Sequence, residues 1–111
     1  MQPEDRNRLR HMIEAAMVIS NFVKERARPD LDTDAMLFFA LVRAVEVFGE
    51  AAAKVSVSGR TASPKLPWQQ IVAMRNRLIH AYFDIDRDIL WKTVTQEIPS
   101  LLPVLENLVA E

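Results

Sequence analysis

The 111-residue sequence predicts an all-α protein, an antiparallel bundle of four or five helices. Three observations predict it. Apolar residues recur at three- and four-residue steps through most of the chain, and no stretch alternates with the period of a strand. Proline, glycine and aspartate punctuate the pattern at intervals suited to helix ends. Composition agrees, with half the residues apolar and about a quarter charged. The length suits one domain, residues 1–111, with one hydrophobic core.

The first predicted helix runs from Glu4 to about Arg28. Leu9, Met12, Ile13, Ala16, Met17, Ser20 and Val23 form its apolar stripe, and Pro29 is expected to end it. His11 lies beside this stripe and reads as a surface or packing residue. Asp30-Leu31-Asp32-Thr33 supplies N-cap candidates for a second helix, from about Asp34 to Val55. This helix is apolar around most of its circumference, which places it centrally in a bundle or at a subunit interface. Its charged residues Arg43, Glu46, Glu50 and Lys54 fall near one line. Two readings fit that line. It is a run of i,i+3 and i,i+4 ion pairs, or Glu46 or Glu50 reaches a basic motif on a neighbouring helix.

Residues Ser56 to Pro67 read as the one long connection, rich in serine, glycine and proline. A third helix is predicted from Trp68 to Tyr82, with Pro67 at its start. Asp84-Ile85-Asp86 closes it and opens a fourth, from Arg87 to about Glu97. Pro99 and Pro103 then predict a kink or break before a last segment, Ser100 to Ala110, in which Leu101, Leu102, Leu105, Leu108 and Val109 keep helical spacing.

Several classes of function are excluded or disfavoured. The absence of cysteine excludes disulfides and thiolate metal sites and fits a reducing compartment. No apolar run approaches the roughly 20 residues of a membrane span, and MQPEDRNRLR is too polar for a secretory signal. A cytoplasmic protein without membrane contact is expected. The net charge of −1 hides an asymmetry. Between Ala51 and Phe83 lie five basic residues (Lys54, Arg60, Lys65, Arg75, Arg77) and no acidic one, against nine basic and fifteen acidic residues elsewhere. That segment can attract phosphates, or it is a run of solvated charges.

Two arginines, an asparagine, a histidine and a tyrosine are packed between Arg75 and Tyr82, with no glycine or proline among them. Polar clusters inside an apolar helical pattern are costly to bury, so they commonly face a ligand or partner. On an ideal helix Arg75 and His80 diverge by about 140°, whereas Asn76 and His80 share a face at i,i+4. For Arg75 and His80 to act on one phosphate, the helix must distort near His80 or two chains must combine. Histidine exchanges protons near neutral pH, and arginine holds a phosphate through two hydrogen bonds. With the ribose 2′-OH as nucleophile, such a pair can cleave RNA without a metal, Asn76 orienting the His80 ring. The spacing alone equally allows an arginine paired with the second helix, a histidine capping carbonyls, and Tyr82 packed at the bundle edge. Two distant histidines, with no carboxylates clustered about His80, give no metal-ligand set, and no cofactor is expected.

The run Arg75-Asn76-Arg77-Leu78-Ile79-His80-Ala81-Tyr82-Phe83-Asp84-Ile85-Asp86 resembles the HEPN superfamily, specifically its HepT-like branch, marked by Arg-x4-His-x-Tyr at Arg75, His80 and Tyr82. Ile89-Leu90-Trp91 and the segment from Ala44 to Ala51, with its Glu46-x-x-Gly49-Glu50-Ala51, extend the resemblance to nearly the whole chain. It implies a HEPN-like bundle that dimerises, bringing two motifs into one cleft. It also implies a toxin that cleaves RNA without metal, paired with a minimal nucleotidyltransferase (MNT-type) antitoxin that transfers AMP to Tyr82. By the same resemblance Arg75 and His80 are catalytic and Asn76 is a supporting polar residue. Arg77 contacts backbone phosphate or lies on the surface, and Glu46 and Glu50 brace the motif arginine. The alternative is a non-catalytic HEPN module serving as substrate-binding partner of a nucleotidyltransferase.

Overall fold

The computed structural model describes the backbone of residues 1–81 and 84–110, and the side chains of those residues apart from 75–81 and 84. The chain folds as an all-α bundle. In order come α1 (Pro3–Val23), α2 (Asp30–Thr33), α3 (Ala35–Ala53), α4 (Val57–Thr61), α5 (Trp68–Leu78), β1 (Ile79–Ala81), β2 (Asp84–Ile85), α6 (Arg87–Lys92) and α7 (Ile98–Ala110). A π-helical turn, Thr93–Glu97, joins α6 to α7. No helix among the described residues is long and apolar enough to cross a membrane.

α1 packs between α3 and α7, and α5 covers another side of α3. The core forms where these meet: Leu9, Met12 and Ile19 of α1, Leu41, Val45 and Phe48 of α3, Ile71 of α5, and Leu90, Ile98 and Leu105 are all essentially inaccessible. α3 is central, as its composition predicts, yet Met36 and Phe39 at its start remain 84% and 68% exposed. The buried arc of α1 includes Ala15 and Ile19 and leaves Met17 exposed, because α1 meets two helices and its arc follows both.

Local chemistry moves several predicted boundaries. α1 ends at Val23, five residues before the expected Arg28, because Glu25 takes the left-handed conformation (φ 62°) and Arg26 N–H returns to Val23 O at 3.0 Å. Asp30–Thr33 forms a separate helical turn, and Asp34 is the N-cap of α3, accepting from Leu37 N–H at 3.1 Å. That bond is the main reason the Asp34 carboxyl titrates below its ordinary range. The expected long loop contains α4, capped by Ser56, whose Oγ accepts from Gly59 N–H at 3.1 Å. Asp5, only 4% exposed, in turn accepts from the Ser56 hydroxyl and from its N–H, tying the start of α1 to α4.

The predicted break at the prolines falls earlier, in the π turn. Pro99 offers no N–H and its ring crowds the carbonyl four residues back, Thr95, which lies within the wider π turn. Helix α7 then carries Pro103 without interruption. The largest departure from the sequence reading is at the third helix. It ends at Leu78, four residues before Tyr82, and the chain enters a strand where no strand period is visible.

Candidate functional site

The motif sits at the end of α5, so the placement of that helix matters first. Its start is tightly held. Pro67 O accepts from Ile71 N–H at 2.9 Å, and the buried Trp68 donates its indole N–H to Ser63 O at 2.9 Å. The Arg60 guanidinium lies 5.7 Å from the Trp68 ring centroid and donates to the last carbonyls of α3, Ala52 O and Ala53 O. Arg60 therefore serves the fold, and does not belong to a free basic patch. Ile71 and Met74 complete the seat against the core.

Arg75, Asn76 and Arg77 fall in the last turn of α5, where the helix dipole favours cations. Beyond Leu78 the backbone is extended. β1 pairs antiparallel with β2, with Ile79 opposite Ile85 and Ala81 opposite Asp84. Two steps along β1 match one along β2, so His80 is the extra residue of a β-bulge. Arg75 and His80 thus lie on different kinds of backbone, and the 140° divergence of a continuous helix does not apply to them. The side chains of Arg75, Asn76, Arg77 and His80, and all of Tyr82, lie outside the described residues.

The return from β2 is fixed by charge. Asp86 caps α6, accepting from Ile89 N–H at 3.0 Å. Arg87 donates to Leu31 O at 2.7 Å, lies with its guanidinium carbon 4.1 Å from the Phe38 ring centroid, and is 3.8 Å from Asp32. Arg28 bridges Asp88 at 2.7 Å and Asp32 at 3.2 Å, and these partners, Asp88 foremost, raise its pKa. Asp86, Arg87, Arg28 and Asp32 served the sequence reading only as helix boundaries and cap candidates, with no part in holding the motif. The available signal was the acid–base alternation Asp84, Asp86, Arg87, Asp88 directly after the motif.

Glu46 and Glu50 both face Arg43, at 3.6 and 3.4 Å, an i,i+3 pair and an i,i+7 pair along the charged line of α3. A groove of about 630 Å³ runs between α1 and α3. It is lined by His11, Glu14, Val18 and Phe22 on one side and Arg43 and Glu50 on the other.

A family described as "Ribonuclease HepT-like" matches residues 12–108. The chain belongs to the HepT-like ribonuclease family. Among its HepT-like relatives it is similar to "Probable ribonuclease HepT" of Thermococcus cleftensis, with 37% identity covering 97% of this chain and 98% of that one. It is also similar to "Putative RNase MJ1380" of Methanocaldococcus jannaschii, 34% identical over 86% of this chain and 87% of that one. "Putative RNase TTE0752" of Caldanaerobacter subterraneus is 36% identical over 84% and 83% of the two chains. No solved structure matches the chain.

Proposed function

We propose that the chain is a metal-independent endoribonuclease, the toxin of a toxin–antitoxin pair acting in the cytoplasm. The observation that carries this reading is the HepT-like family match across residues 12–108 of a chain that holds Arg75, His80 and Tyr82 in Arg-x4-His-x-Tyr order. The end of α5 at Leu78 and the bulge at His80 support it, because bulges are frequent beside active sites.

In this reading His80 takes the proton of a ribose 2′-OH, and the freed oxygen attacks the adjacent phosphorus. The bond from phosphorus to the 5′-oxygen breaks, leaving a 2′,3′-cyclic phosphate and a 5′-oxygen that receives a proton from an imidazolium. Arg75 holds the non-bridging oxygens through two charge-assisted hydrogen bonds and stabilises the charge that builds on them. Asn76 fixes the tautomer of His80, and Arg77 contacts backbone phosphate. Two copies of the chain form the working unit, and the exposed Met36, Phe39, Met17 and Val18 supply apolar surface that supports association.

Neutralisation falls to an MNT-type nucleotidyltransferase. The Tyr82 hydroxyl attacks the α-phosphorus of ATP, AMP is transferred and pyrophosphate leaves. The added phosphate brings negative charge and bulk to the motif and repels RNA.

The test is cleavage of total tRNA and mRNA in EDTA by purified wild type beside His80→Ala and Arg75→Ala. Cleavage by wild type alone, with both variants folded, is the expected result. Equal cleavage by a clean His80→Ala preparation overturns the assignment. If nothing cuts, the chain is a binding module for the nucleotidyltransferase, and an ATP-dependent mass gain on Tyr82 becomes the deciding measurement.

A further inference from the structure

The strand pair that carries His80 is too small to hold its own place. β1 has three residues and β2 two, with a bulge between their paired positions. An isolated two-stranded ribbon is marginal in water even when longer. Its location is therefore set by Ile85, which packs against the core, and by what flanks it, the end of α5 on one side and the start of α6 on the other. On the α6 side one residue, Asp86, separates β2 from Arg87.

We propose that Arg87 is a positioning residue for the motif: braced by Leu31, Asp32 and Phe38, it pins the strand pair to the α2–α3 corner of the bundle. The inference rests on the ribonuclease reading for its kinetic consequence, though not for its structural one. Arg87 acts in three ways at once. Its Nη1 donates to the carbonyl of the buried Leu31, its guanidinium carbon lies over the Phe38 ring, and Asp32 offsets its charge. The Arg28–Asp88 bond crosses the same gap in the opposite direction, so α6 is tied by an arginine from each side. The geometry suits guanidinium better than ammonium, since one group must donate to a carbonyl while its central carbon lies over an aromatic ring. Arg87 is already committed to protein partners, so it is not offered as an RNA contact.

The test compares wild type with Arg87→Gln, Arg87→Lys and, from the other side of the contact, Asp32→Asn. Amide hydrogen exchange of residues 79–85 and of α1 and α3 is measured on each full chain, together with kcat and KM for RNA cleavage. Loss of a charge-assisted hydrogen bond predicts faster exchange at residues 79–85 in Arg87→Gln by roughly tenfold to a hundredfold, with α1 and α3 unchanged. Displacement of His80 predicts a fall in kcat of roughly a hundredfold at similar KM. Arg87→Lys should recover only part of either effect, and Asp32→Asn should show a weaker version of both. Unchanged exchange at residues 79–85 overturns the proposal, as does a uniform rise through α1 and α3, which would mark a general stability effect. A rise in KM alone also overturns it, by making Arg87 an RNA contact. If wild type does not cleave RNA, the ribonuclease reading fails while the exchange comparison still decides this one.

Discussion

At the N-terminal end of α5 a buried tryptophan is held by a hydrogen bond to Ser63 O and by the Arg60 guanidinium over its ring. At the C-terminal end the same helix runs into two very short strands, where Ile85 packs against the core and surface ion pairs form around Arg87 and Arg28. The first end is seated mainly by buried side chains, the second mainly by exposed hydrogen bonds and ion pairs around one partly buried isoleucine. Apolar burial is non-directional and tolerates little else, so it suits a frame. Directional contacts fix a segment without burying its polar side chains, as a motif that must meet a charged substrate requires. Frame residues should therefore govern stability alone, and residues at the motif end should govern cleavage out of proportion to stability.

The largest effect is expected in the frame. Phe48 is fully buried in α3, and Phe48→Ala should cost about 3–5 kcal/mol in urea unfolding through lost transfer energy and the cavity left behind. Whatever fraction remains folded should cleave RNA at the wild-type kcat. A kcat that falls with Phe48→Ala at full folding would break the division between the two regions.

Gly59 gives the next test. A Cβ there would come within 2.6 Å of Asp5 Oδ2 and 2.9 Å of Val55 Cγ1. Gly59→Ala therefore overpacks the junction of α1 and α4 and should destabilise by about 1–3 kcal/mol, read by chemical denaturation. The same junction predicts a pH dependence. Chiefly through the Ser56 hydroxyl, the Asp5 carboxyl is held below its ordinary value of 3.8. A depressed folded pKa adds stability that is complete above about pH 3.8 and is lost as the pH falls through the lower, folded value. Wild type should accordingly lose stability relative to Asp5→Asn as the pH drops through that window, with both variants denatured in parallel from pH 6 to pH 2.

Two aspartates in the same role, one in each region, sharpen the comparison. Asp34 caps α3 and Asp86 caps α6. Asp86→Ala should cost about 1 kcal/mol of stability and also lower kcat, because its helix begins where the strand pair ends. Asp34→Ala should lower stability and leave kcat unchanged.

The same division explains what could be read from the chain. The frame was legible because periodicity reports burial: Leu9, Met12 and Ala16 on α1, and Leu41, Val45 and Phe48 on α3, repeat as a buried face must. The departures are events of backbone conformation that no side-chain period encodes. Glu25 in the left-handed region ends α1 without the usual glycine. Ser56 starts a five-residue helix inside a stretch with loop composition. Ile79, His80 and Ala81 continue the helical pattern of α5 while the backbone turns extended. The candidate motif was legible for a different reason. Arg75, His80 and Tyr82 are recognisable as a combination of residue types, whereas the helix end at Leu78 and the bulge at His80 are not announced by it.

The smallest effect concerns the line of charges on α3. Arg43 is 65% exposed and Glu50 48%, so their pair at 3.4 Å is screened by water. Glu50→Gln should change stability by less than about 0.5 kcal/mol, as exposed pairs do. Glu46 is better covered, at 24% exposure, and it shares the same arginine. If both carboxylates serve only Arg43, Glu50→Gln leaves RNA cleavage unchanged, and Arg43→Gln does the same. If instead Glu50 braces the motif arginine, Glu50→Gln lowers kcat while Arg43→Gln, by releasing the carboxylate, does not. The two variants therefore separate an ion pair within the frame from a strut between frame and motif. Both carboxylates lie within 3.6 Å of Arg43, so cleavage by both variants at the wild-type rate is the expected result.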